Sequence, residues 1–125
     1  MWTFGPPFST PGEISTRTGS NTPDAFTTER DNLALNLTAK VFYISSTSDL
    51  HVTGIVASID TDIIILVNVG AYAIVLDHES GSSSSGNQFI MLSGTYYPIA
   101  PNGVVSLMYD GSVSKWRPIN TNSGA

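Results

Sequence analysis

Histidine and aspartate supply the first candidates for chemistry. The chain holds two histidines, His51 and His78, each with carboxylates close by in Asp49-Leu50-His51 and Asp77-His78-Glu79. An imidazole beside a carboxylate can hold a metal ion or move a proton. Residues i and i+1 of a strand point to opposite faces, so neither Asp77 nor Glu79 shares a face with His78, and only Asp49 can share one with His51. One carboxylate with one imidazole is too few for a site, and both histidines read as surface or loop residues. Asp60 and Asp62, around Thr61, are the second candidate, because paired carboxylates serve glycoside hydrolysis or calcium binding. A calcium loop needs further oxygen ligands at the next alternate positions, where Ile64 and Leu66 stand. The pair therefore reads as turn-forming. No catalytic residue, metal ligand or cofactor site is expected.

Gly81-Ser82-Ser83-Ser84-Ser85-Gly86 matches neither the Gly-x-Ser-x-Gly elbow of a serine nucleophile nor the Gly-Lys-Ser/Thr ending of a phosphate loop. It reads as a flexible connection between strands. Asn36-Leu37-Thr38 has the form of a glycosylation acceptor, which has no consequence without secretion. Tyr96, Tyr97 and Trp116 could stack on a sugar if exposed, but aromatics near strand ends more often serve a core or an interface. They are expected at an oligomer interface.

Composition narrows the classes. Of 125 residues, 41% are apolar and only 12% charged, against a usual charged share of about 25%. Serine and threonine fill the difference, which suits pleated ladders and tight turns. A net charge of -5, with five basic residues scattered along the chain, argues against nucleic acid, whose phosphates need clustered Lys and Arg. With no cysteine, thiol chemistry and disulfide staples are excluded. The segment from Met1 to Phe8 lacks the basic start and apolar run of a secretory signal. No apolar run, Ile63 to Val67 included, is long enough to span a bilayer. A soluble protein is expected, with no membrane partner.

The elements follow from patterning. Pro6, Pro7, Pro11 and Pro23 interrupt helix and strand alike near the N-terminus. Residues 1–35 read as an extended arm rich in Pro, Gly, Ser and Thr. Its large apolar residues, Trp2, Phe4, Phe8, Ile14 and Phe26, are unusual for a plain linker and are expected to anchor on a partner surface. Residues 36–119 carry recurring β-branched or aromatic runs: Val41 to Ser45, His51 to Val56, Asp62 to Val69, Ala73 to Asp77, Gln88 to Leu92, Val104 to Tyr109 and Val113 to Arg117. They predict an all-β domain, a small antiparallel sandwich or barrel of jelly-roll type. Asp110-Gly111 predicts a tight hairpin turn through its tolerance of positive φ. Ile63 to Val67, apolar at every position, should form the central strand with both faces covered. Val104 to Tyr109 is nearly as apolar, and the two are expected on opposing sheets. Residues 120–125 read as a short flexible tail. A small core without disulfides gains from self-association, which also covers strand edges.

The segment Asn36 to Arg117 resembles a β-rich module of bacteriophage virion proteins, found on heads and in tail appendages. The matching pieces run in order: Val41 to Ser48; Val52-Thr53-Gly54-Ile55; Val67-Asn68-Val69-Gly70; Ile74 through Ser83; Asn87-Gln88-Phe89; Ile99-Ala100-Pro101-Asn102; Leu107 to Gly111; and Ser114-Lys115-Trp116-Arg117. The resemblance covers about two thirds of the 125 residues and leaves out the arm. It implies a non-enzymatic structural protein of the virion, assembled in the bacterial cytoplasm. Shortness favours a trimeric decoration, or cement, protein on the outer head surface, with the major capsid protein as partner. The alternative is a tail fibre or spike module whose exposed loops bind a host glycan.

Overall fold

The computed structural model describes residues 24–119, and these form an all-β structure of eight strands and one 3-10 turn (Ser85–Asn87). The strands are β1 (Asp24–Phe26), β2 (Val41–Ser46), β3 (Leu50–Val52), β4 (Ile63–Asn68), β5 (Ile74–Leu76), β6 (Tyr97–Ile99), β7 (Val104–Asp110) and β8 (Lys115–Pro118). A five-stranded sheet runs in the order β1-β2-β4-β7-β8, and a three-stranded sheet in the order β3-β5-β6. Neither closes into a barrel. The residues at 1–23 and 120–125 lie outside the described part, and with them the expected tail and the arm residues Trp2, Phe4, Phe8 and Ile14.

The sheets are mixed, which corrects the antiparallel expectation. β1 pairs with β2, β2 with β4, and β3 with β5 in parallel, while β4–β7, β7–β8 and β5–β6 are antiparallel. The cause is the chain's path. Short turns after β2 and β4 carry it from the larger sheet to the smaller one, so the next strand of each sheet arrives in the same direction as the last. Each turn of this coil lays a strand in the larger sheet and a strand or bridge in the smaller. Residues paired between successive turns are about 20 to 24 positions apart, as in Asp24 with Ile44, Ile44 with Asn68 and Val52 with Leu76. Parallel bridges from Arg30 to Val52 and from Leu33 to Ile55 extend the first turn beside β3. The turns stack tightly. A Cβ on Gly70, after β4, would sit 2.9 Å from the Ser45 Cβ of the turn below.

One apolar cluster draws on both sheets: Ile44, Ile64, Leu66, Val105 and Leu107 from the larger, Val52, Ile74, Leu76 and Ile99 from the smaller. Alternation along each strand decides membership, because residues two apart share a face. Phe26, expected in the arm, is wholly buried in this cluster, with the Arg30 guanidinium 4.8 Å from its ring centre. The domain therefore begins by Asp24 rather than at residue 36. β4 is the central strand, as its run of branched residues predicts. It pairs directly with β7 rather than facing it across the core, because the bend near Asn102 carries the chain from β6 of the smaller sheet back into the larger one beside the end of β4, where the Asn68 N–H donates to the Gly103 carbonyl and the Asn102 N–H to the Asn68 carbonyl. The β7–β8 hairpin forms, but with a longer loop than Asp110-Gly111 predicts: the positive φ falls on Ser114 (56°), and Asp110 Oδ1 accepts bonds from the Ser112 N–H and hydroxyl. Residues 88–92, expected as a strand, make only isolated bridges, Gln88 to Gly54 and Phe89 to His78 and Trp116.

Candidate functional site

The alternation that fills the core leaves a second apolar face on the larger sheet. In β2, β4 and β7 the inward set is Ile44, Ile64, Leu66, Val105 and Leu107; the outward set is Val41, Tyr43, Ile63, Ile65, Val67, Val104 and Met108 with the polar Ser45, Ser106 and Asp110, Ser106 lying beside Ile65. Register joins the outward residues into one surface. Val41 lies beside Ile65 and Tyr43 beside Val67, while Ile63 lies beside Met108 and Val67 beside Val104. Ile63 is 47% exposed and Val104 50%. The sequence predicts cover on both faces of the central strand; within the described residues only the inner face has it. Lys115 and Arg117 of β8 border the patch, and the Arg117 Nη2 is 2.9 Å from the Asp110 carboxylate.

The histidines and aspartates are engaged within the fold. His51 Nδ1 lies 2.6 Å from Asp77 Oδ1, a partner just past the end of the neighbouring strand β5 that local sequence spacing does not reveal. Asp49, the expected same-face neighbour of His51, instead accepts the Ala73 N–H. His78 Nδ1 accepts the Met91 N–H, and its Nε2 stands 3.3 Å from Glu79. Asp60 accepts the Gly111 N–H, and Asp62 binds the Lys40 ammonium at 2.6 Å and the Ser58 hydroxyl. Burial opposes ionisation of Asp62, but the Lys40 and Ser58 hydrogen bonds and the Lys40 charge outweigh it and hold the carboxyl below its ordinary range. Hydrogen bonds from Ser112 likewise depress Asp110, whereas a hydrogen bond with Asp31 raises Glu29. Among the described residues no group of three or more His, Cys, Asp or Glu is arranged to hold a metal ion.

An open polar cleft of about 390 Å³ lies over Asp77, His78, Ser80, Gly94, Thr95 and Tyr96. The expected interface aromatics divide around it. Tyr96 is 60% exposed at its rim, and Tyr97 is half-buried against the core. Trp116 is wholly buried, which corrects its placement at an oligomer interface. Its Nε1–H donates to the Ile55 carbonyl at 3.0 Å, and its ring meets Tyr109 edge to face at 5.2 Å. An inward position on β8 leaves no surface for it to offer.

The serine loop is better held than its composition suggests. Ser83 is buried; its hydroxyl accepts the Asn32 N–H at 2.8 Å and bonds the Thr53 hydroxyl at 2.7 Å. Asn32 Oδ1 accepts in return from the Ser84 N–H and the Asn87 side chain. Asn36 uses its side chain to accept the Thr38 N–H and hydroxyl, a local turn. Among the described residues no helix is long and apolar enough to cross a membrane. No family model, curated protein or solved structure matches this chain.

Proposed function

We propose that this chain is a structural protein of a bacteriophage particle, a decoration protein that self-associates, as a trimer, and binds the outer head surface through contacts with the major capsid protein. The observation that carries the reading is the apolar outer face of the larger sheet, where Ile63 and Val104 stay about half exposed. Apolar side chains that stay exposed together on one sheet face are a common feature of interaction surfaces. The ordered sequence resemblance to phage virion modules supplies the biological setting. The finer architecture belongs to the same proposal: the two sheets pack as a small sandwich of jelly-roll type around the shared core. Trp2, Phe4, Phe8 and Ile14 serve as capsid anchors; Phe26 does not, being part of the core.

The test is co-sedimentation of purified protein with expanded empty capsids of the encoding phage and, separately, with bacterial cells. Binding to capsids, with a trimer mass by light scattering, supports the reading; a monomer that ignores capsids overturns it. A fibre-associated module that binds a cell-surface glycan is the second reading. It is favoured by the cleft beneath Tyr96, where an exposed ring, the Asp77 carboxylate and two hydroxyl side chains converge. Binding to cells that is lost in Tyr96→Ala would select it.

A further inference from the structure

We propose that Asn102 is a site of self-modification, where the Asn102-Gly103 peptide cyclises with loss of ammonia and reopens chiefly as an isoaspartate linkage. This holds for the isolated chain, whatever it assembles with. Asn102 is the only asparagine of the sequence that precedes a glycine, so the nitrogen next to its side chain carries no bulky neighbour. The turn between β6 and β7 requires both residues. Asn102 has a φ of 66°, in the left-handed region where asparagine is among the few side chains tolerated. A Cβ on Gly103 would lie 2.7 Å from the Ala100 carbonyl oxygen, so a larger residue there would displace the turn.

Water is the only co-reactant. Base removes the Gly103 amide proton and the nitrogen attacks the Asn102 Cγ; a C–N bond forms, the Cγ–Nδ2 bond breaks, and ammonia leaves after taking up a proton. Water then opens the five-membered imide. Cleavage at Cγ gives aspartate, and cleavage at the main-chain carbonyl carbon gives isoaspartate. The electrophile is accessible: Asn102 is exposed, and its side-chain amide makes no hydrogen bond among the described residues. The nucleophile is restrained. The Gly103 N–H donates to the Ala100 carbonyl at 2.7 Å and closes a four-residue turn, so cyclisation follows local opening of that turn.

The same chain holds a contrasting pair. Asp110-Gly111 is its only Asp-Gly dipeptide, where the same ring would form with loss of water. Here both reactants are held. The Gly111 N–H donates to Asp60 Oδ1 at 2.7 Å. The Asp110 carboxylate accepts from the Ser112 N–H and hydroxyl and from Arg117 Nε, and these bonds, those from Ser112 foremost, keep it ionised below its ordinary range. An ionised carboxylate resists attack by nitrogen. Restraint on both partners at Asp110, against one at Asn102, directs the conversion to Asn102.

The product would disturb the junction of the two sheets. The Asn102 N–H donates to the Asn68 carbonyl at 2.8 Å, and the Gly103 carbonyl accepts the Asn68 N–H at 2.9 Å. An isoaspartate inserts a methylene into the main chain between these two contacts, so both cannot keep their places on Asn68. It also puts a new carboxylate one residue before Val104, at the end of the apolar outer face.

The experiment incubates the full chain in mildly alkaline buffer and maps its peptides by mass spectrometry. The mass gain of an amide-to-acid exchange should appear at Asn102 ahead of Asn32, Asn36, Asn68 and Asn87, with isoaspartate in excess of aspartate and none at Asp110. In urea, where the turn is open, Asn102 should convert several-fold faster. Asn102→Gln, which needs a larger ring, should abolish the gain. Converted protein, separated by its added charge, should melt below Asn102→Asp, which carries the same charge on an unaltered main chain. A native chain that stays unconverted while the chain in urea converts fully overturns the proposal. So does earlier conversion at one of the other four asparagines or at Asp110. A Tm equal to that of Asn102→Asp would overturn the account of the Asn68 contacts.

Discussion

Asn68→Ala tests how the two sheets are held together. Asn68 ends β4 with its side chain wholly buried. Its Nδ2 donates to the carbonyls of Tyr72 and Ile99, both at 2.8 Å, and its Oδ1 accepts the Gly70 N–H at 3.0 Å. The bond to Ile99 runs from the larger sheet to the last strand of the smaller, and the other two fix the turn between β4 and β5. Removing the amide leaves the buried Ile99 carbonyl without this donor, a loss of about 1–3 kcal/mol. The Tyr72 carbonyl and Gly70 N–H lie near a partly exposed turn where water can replace the side chain, and add about 0.5 kcal/mol each. The expected total of roughly 2–4 kcal/mol is a large part of a stability of about 5–15 kcal/mol. At about 5 °C per kcal/mol for a domain of this size, Tm should fall by roughly 10–20 °C in far-UV circular dichroism. Asn68→Asp separates hydrogen bonding from volume. Its carboxylate would face two carbonyls at neutral pH, and only the protonated acid can donate to one of them, so it should regain stability on acidification while Asn68→Ala does not. A loss below about 1 kcal/mol for Asn68→Ala would refute the reasoning about an unpaired buried acceptor.

Two further predictions concern other contacts. In Gly54→Ala the new methyl would lie 2.6 Å from both the Asn87 carbonyl and the Ser83 hydroxyl; a destabilisation of about 1–3 kcal/mol is expected, with faster hydrogen exchange at the Asn32 and Ser84 amides. Unchanged exchange there would show that the serine loop is not held through Gly54. The Asp62 carboxyl is depressed below its ordinary value of 3.8 by Lys40 and Ser58 against an opposing burial penalty, so its contribution is present above the unfolded pKa and is lost as pH falls through the lower folded value. Lys40 is half exposed, so Lys40→Met should cost no more than about 1 kcal/mol at pH 7. Measured by urea midpoints, that difference should shrink towards nothing in strong acid; a difference that persists there would refute the assignment.

Local pattern makes part of this structure legible. Branched and aromatic runs locate β2, β4 and β7 within a residue or so, and the unbroken run of Ile63 to Val67 identifies the central strand. What pattern cannot carry is direction. Parallel and antiparallel neighbours ask for the same alternation, and the choice here lies in turns such as Thr47-Ser48-Asp49, which shift the chain between sheets instead of folding it back. β1 leaves no such pattern, because three residues between Pro23 and Arg30 are too short a run to show a period, although Phe26 is among the largest buried side chains. Trp116 lies inward for a related reason: the alternation of Lys115, Trp116 and Arg117 assigns the ring to the inner face, which outweighs the general tendency of aromatics near strand ends to serve interfaces. The pairing of His51 with Asp77 depends on the β3–β5 register, which becomes visible only once the parallel coil is known. Asn68 did carry a signal, a lone amide closing an apolar strand just before a glycine.

The coil of parallel turns also determines how such a molecule can change length. Every turn copies its hydrogen-bonding direction from the one before, so a further segment of about 20 to 24 residues, the separation between successive paired positions, could be spliced in without altering the ladders on either side. Growth stops where β6, β7 and β8 double back against β4 and β5, a reversal that works as a terminal plug. At β1, the other edge of the larger sheet, no reversal of that kind stands among the described residues.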